Sequence, residues 1–353
     1  MTVRALMFGV AAAALATSAF AAPPPATAAW KAPHNAWGQP DLSGVWTNAT
    51  ITTLERPAAF GERKVLTEQE ARQLESGNAA RVQRAAQATK EGTKVDELPS
   101  CGGGQTGPAC GYNNFWVDPG TKVIRIGAEP RSSIIVEPKD GRLPLNPAAQ
   151  ARIRAAQGNA RVGNFDGPER RPLGERCLVG FGSTSGPPML PVLYNNHYQI
   201  MQTPDEVMIE VEMVHDVRHI RLNDRSHKPA NVRLWMGDSI GHWEGDTLVV
   251  ETTNFRRDQT FRGATADQKV VERFTRISPQ QILYQFEVVD PAAFTAPVKG
   301  EESFNATKDM VYEYACHEGN YALPGILAGA REEEKKGKEM EGNRGEVREE
   351  GAE

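Results

Sequence analysis

Residues 235–255 read WMGDSIGHWEGDTLVVETTNF. The run is a strand, a tight turn at Glu244-Gly245-Asp246, and a second strand of Thr, Leu and Val. Similar strand-turn-strand units lie on both sides. Working outward, strand candidates cover 198–202, 207–222, 247–254, 270–277, 282–289, 298–305 and 310–315. Connections at Thr203-Pro204-Asp205, Ser278-Pro279-Gln280 and Thr307-Lys308-Asp309 are short, so neighbouring strands should pair antiparallel as a meander. A train of this kind curls into a barrel or clam. The predicted fold class is mainly β, an antiparallel barrel or clam with one or two peripheral helices.

Upstream, the residues Pro40 to Trp46 lead into the first strand. Thr67-Glu68-Gln69-Glu70 is a capping box that opens a surface helix to about Ala88. A loop at 90–114 follows, then strand candidates at 123–126 and 132–136 and a turn at Asp140-Gly141. A second short helix is predicted over 146–156, and 157–175, rich in Gly, Arg and Pro, reads as a surface connection. One barrel domain is expected over 37–330, with a helical and loop insertion at 60–115. The segment 22–36 reads as a Pro- and Ala-rich extension, and 331–353 as a charged, disordered tail.

Arg4, the apolar stretch from Ala5 to Phe20 and the small residues around Ala21 have the pattern of a cleaved signal peptide over 1–21. No Cys follows the cleavage site, so no lipid anchor is expected there. The mature protein is expected in the periplasm or outside the cell, without a membrane span, where disulfides persist. Four cysteines can all pair. Pairing Cys101 with Cys110 and Cys177 with Cys316 is the simplest arrangement; two others exist, and metal ligation is the rival use of these thiols. A net charge of −5 argues against a nucleic-acid partner, which needs a basic face.

Several stretches carry a resemblance: PDLSGVW (40–46), SSIIVEPKDGRLP (132–144), YQIMQTPDEVMIEVEMVHDVRHI (198–220), the opening MGDSIGHWEGDTLVVETTNF, VVERFTR (270–276), VVDPAAFTAP (288–297) and YEYACHEGNY (312–321). Together they resemble a large family of secreted bacterial proteins. The resemblance implies secretion and a lipocalin-like β-rich fold. Relatives carry a His-containing stretch just before ERF; this chain departs from it with Ala264-Thr265-Ala266-Asp267.

Candidate chemistry follows from strand parity. Val207, Ile209, Val211 and Met213 share an apolar face that His215 continues, unless a bulge intervenes. An imidazole aimed into a lumen is a candidate general base; a hydrogen-bonded core histidine is the bland alternative. Glu212 or Asp216 would orient His215, and Arg218 or Arg273 would stabilise an oxyanion. His219 lies four residues from His215, too far along a strand to share a metal easily, so no metal site is predicted. His317 and Glu318 stand at an expected strand end, as a rim acid or as plain chain capping. Glu272, Glu287, Asp290 and Glu313 are carboxylates set among apolar residues, either convergent in the lumen or solvated outside, with Asp290-Pro291 read as a turn. Trp235, Trp243, Asn254, Tyr284, Glu313 and Tyr314 are candidate ligand contacts, although strand aromatics are often plain core.

There is no GxSxG elbow, HExxH, Walker loop, or GxGxxG after a strand. The leading expectation is a cofactor-free acid-base enzyme, a lyase, hydrolase or isomerase, acting on a small aromatic or carbohydrate-derived compound. The alternative is a non-catalytic carrier of a hydrophobic small molecule. A structural envelope protein with a filled barrel is the third.

Overall fold

A computed structural model describes residues 30–85, 118–161, 165–180, 184–224 and 226–335. The chain divides into Met1–Trp30 and Lys31–Glu353, and the second unit is described below. The expected signal segment, most of the 22–36 extension, the Cys101–Cys110 pair, the insertion past residue 85 and the tail past residue 335 lie outside the described residues.

The strands are β1 (Gly44–Thr47), β2 (Arg125–Ile126), β3 (Glu129–Pro130), β4 (Ile135–Glu137), β5 (His197–Gln202), β6 (Glu206–Val211), β7 (Asp216–Arg221), β8 (Asp238–Glu244), β9 (Thr247–Thr253), β10 (Lys269–Ser278), β11 (Gln281–Val289) and β12 (Val298–Ala306). The sheet runs β1-β5-β6-β7-β8-β9-β10-β11-β12 and closes where Trp46 and Thr47 pair with Ala306 and Asn305. The result is a closed nine-strand barrel. β4 occupies the rest of the free edge of β12, at Lys299 and Gly300. The helices are α1 (Glu68–Ala85), α2 (Pro147–Arg161) and α3 (Ala322–Lys335). The capping box forms as read: Thr67 N–H donates to Glu70 at 2.8 Å and Glu70 N–H to Thr67 Oγ1 at 3.2 Å.

Period-two alternation fills the lumen. Tyr198, Ile209, Ile220, Val250, Phe274, Tyr284 and Phe304 are all buried and share the inner face through the ladder registers. Phe286 lies against Gly300, where an added Cβ would come within 2.1 Å of its ring. At one end, Trp46 and Trp243 turn inward and the Arg276 guanidinium lies 5.3 Å from the Trp46 ring centre. The other end is stoppered by 184–190, Thr-Ser-Gly-Pro-Pro-Met-Leu, every residue of it buried. Outside, 49–66 and 118–146 cover β11 and β12: buried Arg131 reaches Glu301 at 3.0 Å. Both faces of these two strands are therefore dry.

The lumen also holds charge. Arg218 grips Glu272 through two hydrogen bonds of 2.9 and 2.6 Å, and both side chains are essentially inaccessible. Burial alone would weaken the Arg218 charge, but Glu272 outweighs it and holds the guanidinium above its usual range. The Tyr284 hydroxyl donates to Glu272 at 2.7 Å and accepts the Met189 amide at 2.9 Å, tying the stopper to the ion pair. Tyr198 donates to the Thr184 carbonyl at 3.1 Å. Opposite Tyr284 on the ladder sits Glu302, whose hydrogen-bond donor is Asn48 at 3.2 Å. Burial pushes this carboxyl well above the usual range. Glu302 Oε1 and Asn48 Oδ1 both lack a donor, and a neutral carboxylic acid brings one to this corner.

Three expectations need correction. The predicted strand 207–222 is two strands, β6 and β7, joined by a turn at 212–215 in which Val214 and His215 have φ of 61° and 49°. The turn lacks the Asn-Gly signal of left-handed hairpin turns, so the apolar pattern reads straight through it. β7 and β8 pair parallel, because the long connection 222–237 returns the chain to the end where β7 began. The expected strand 310–315 is irregular chain with no ladder partner.

Two outcomes follow. Glu272→Ala leaves the Arg218 charge buried and unpaired, and urea unfolding should show a loss of about 3–5 kcal/mol. Glu302 ionises more easily in the unfolded chain than in the fold, so its contribution is present in acid and lost as pH rises past about 4.3 towards the raised folded value. Glu302→Gln should therefore be more stable than wild type at neutral pH. The difference should vanish near about pH 3.

Candidate functional site

The stoppered end carries the main cleft, of about 550 Å³. Its walls come from three places: Thr50, Thr52, Thr53 and Leu54 after β1, Leu190 to Tyr194 leaving the stopper, and Met213 in the β6–β7 turn, with Pro119, Ile134 and Arg262 completing it. The stopper can be buried because no Asp, Glu, Lys or Arg occurs between Cys177 and His197. Asp216 anchors the stopper's start by accepting the Gly180 amide at 2.9 Å and the Ser185 hydroxyl. Burial raises the Asp216 carboxyl, against the pull of those two donors. Tyr194 also lines a second cleft, of about 540 Å³, with Glu313, Tyr314, Cys316, Leu323 and Ile326. That cleft is bordered by the Cys177–Cys316 disulfide, whose Cα atoms are 5.7 Å apart. Closing so long a loop contributes about 2–4 kcal/mol.

The β6–β7 turn that lends Met213 to the cleft also carries half of a carboxylate-histidine pair. His197 Nδ1 is 2.8 Å from Glu212, and its Nε2 faces Asp309 at 3.8 Å. Glu212 is buried and also accepts the Tyr312 amide at 3.1 Å. The hydrogen bond to Glu212 raises the His197 imidazole above its usual range despite partial burial. Burial pushes Glu212 up, but His197 and the Tyr312 amide outweigh it and leave the carboxyl below its usual range. The pair joins the start of β5, the β6–β7 turn and the chain leaving β12.

The predicted site residues are dispersed. His215 is exposed on its turn and does not face the lumen, because the strand ends at Val211 before parity reaches it. Glu212 does orient a histidine, but it is His197. Arg218 lies inside the lumen and is consumed by Glu272. Arg273 lies on the outer face with Glu244 at 2.8 Å. His317 and Glu318 are exposed on a turn, not at a strand end. Trp235 stacks under the Arg256 guanidinium at 4.0 Å, and Trp243 packs on the core. Asn254 donates to the Lys228 carbonyl at 2.8 Å, so it orients a neighbouring segment. Tyr284 is buried in the lumen, whereas Glu313 and Tyr314 reach the second cleft. Among the carboxylates, Glu272 and Glu302 are inside, Glu287 is buried and Asp290 caps its turn by accepting the Ala292 amide at 3.0 Å. Among the described residues no group of three His, Cys, Asp or Glu side chains is placed to hold a metal ion. His197, Arg262 and the stopper escaped the sequence reading; the uncharged run 178–196 was the signal for the last.

The signs of the His197 and Glu212 shifts make a prediction. The raised histidine contributes stability that is full below about pH 6.5 and is lost as pH rises through its folded value. The lowered glutamate contributes above about pH 4.3 and is lost as pH falls through its folded value. The melting-temperature difference between wild type and His197→Gln should be largest between those limits and shrink in alkali. It should correspond to about 1–2 kcal/mol; a flat difference across pH would contradict the pairing.

No family model, no curated protein and no solved structure matches this chain.

Proposed function

We propose that this chain is an exported small-molecule-binding protein that takes its ligand in the cleft at the stoppered end of the barrel. The observation that carries this reading is the combination of a filled lumen and an open, largely apolar cleft of about 550 Å³, a size typical of ligand sites. Export is supported by the disulfide between Cys177 and Cys316, which persists in oxidising compartments, and by the signal-like N-terminus. Among the described residues no helix is long and apolar enough to cross a membrane. Membership of the secreted family that the motifs resemble belongs to the same proposal. Relative to a lumenal carrier, the ligand moves from the barrel axis to its end.

A second reading, acid-base catalysis, is favoured by the Glu212–His197 pair. A buried carboxylate holding one imidazole nitrogen leaves the other to exchange a proton. His215, Arg273, His317 and Glu318 do not converge with it, and Arg218 is committed to Glu272. A reaction would therefore rest on His197, behind the turn that lends Met213 to the cleft.

Leu193 lines the cleft and is 61% exposed, so it tolerates substitution without disturbing the core. Titration with a hydrophobic fluorophore such as 1-N-phenylnaphthylamine should show saturable binding. Leu193→Asp should weaken it by about tenfold or more, the scale of one apolar side chain's burial. Equal binding by both proteins would remove the cleft as the site.

A further inference from the structure

Resting on the cleft reading, we infer that the ligand is an amphipathic carboxylate whose head group pairs with Arg262. Among the described residues that line the main cleft, Arg262 is the charged one; the others are apolar or hydroxylated. Among the described residues no side chain forms an ion pair with Arg262, which is exposed. An apolar wall with one unengaged guanidinium at its lip matches a molecule with an apolar body and one planar anion. A guanidinium accepts a carboxylate through two parallel hydrogen bonds, which an ammonium does not reproduce.

The backbone supplies an independent observation. Arg262 has φ 35°, in the left-handed region that disfavours residues with a Cβ. Strain of this kind gathers at functional sites, where surrounding structure holds it. Here the turn is held on every side. The Ala264 amide donates to the Phe261 carbonyl at 2.7 Å, and the Phe261 amide to Gln268 at 3.0 Å. Arg152 of α2 donates to the carbonyls of Gly263 at 3.0 Å and Ala292 at 3.1 Å. Gly263 sits so close to Ile153 that an added Cβ would come within 2.8 Å. The arginine is thus presented from a braced turn, on the side where α2 (PAAQARIRAAQGNAR) carries no acidic residue.

Calorimetric titration with dodecanoate and with dodecanol, each below its micelle concentration, tests this on the full secreted chain. Wild type should bind the acid at least tenfold more tightly than the alcohol. Arg262→Gln should bind both at the wild-type alcohol level. Arg262→Gly, which suits the left-handed backbone, should lose the preference equally while its melting temperature stays the same or rises. Equal binding of acid and alcohol by wild type, or a preference that survives in both variants, overturns the carboxylate assignment and leaves the cleft reading standing. If neither compound binds wild type and the fluorophore is insensitive to Leu193→Asp, the cleft reading fails with it.

Discussion

The Arg218–Glu272 pair at the barrel axis constrains everything around it. Two charges removed from water cost several kcal/mol each, and only close, doubly hydrogen-bonded contact offsets this. That contact needs β7 and β10 held at fixed separation across the lumen, and it needs the remaining acceptor valence of Glu272 filled. Tyr284 fills it. The same hydroxyl takes the Met189 amide, so the stopper is part of the ionic centre rather than a separate lid. A lumen organised in this way is a polar core wrapped in aromatics: Tyr198 and Phe304 stack at 5.0 Å, and Phe274 and Tyr284 lie 4.9 Å apart.

The proposed ligand site therefore lies at the end of the barrel, where loops meet on a rigid frame. The main cleft is assembled from the chain leaving β1, the stopper and the β6–β7 turn. Left-handed non-glycine residues stand at two of its supports, Val214–His215 and Arg262. The disulfide and the Glu212–His197 pair pin the chain beyond β12 to the same region, so the two clefts that share Tyr194 have a common border.

Particular residues show how much of this was legible. The capping box at Thr67 and the strands around Gly245 could be read directly, because their signals are local. The charge in the lumen could not. Glu272 stands among Val270, Val271 and Phe274, and the same alternation serves a solvated carboxylate or a buried one. The hairpin at 212–215 was hidden because Val214 and His215 occupy a turn that normally announces itself with Asn and Gly. His197 was hidden because its partner is fifteen residues away across a strand pair.

Sequence by itself determined the mainly β class, most of the barrel's strand train, the starts of α1 and α2 but not of α3, and the Cys177–Cys316 pairing as the simplest choice. These depend on periodicity, caps and counts, which are properties of neighbouring residues. Only the tertiary structure decided that the lumen is filled, that β7 meets β8 in parallel, that Glu212 serves His197, and that Arg262 faces an apolar cleft. Each of these depends on which face of a closed sheet a side chain takes and on what lies across it. A barrel sets that by closure and register, which no local stretch of sequence contains.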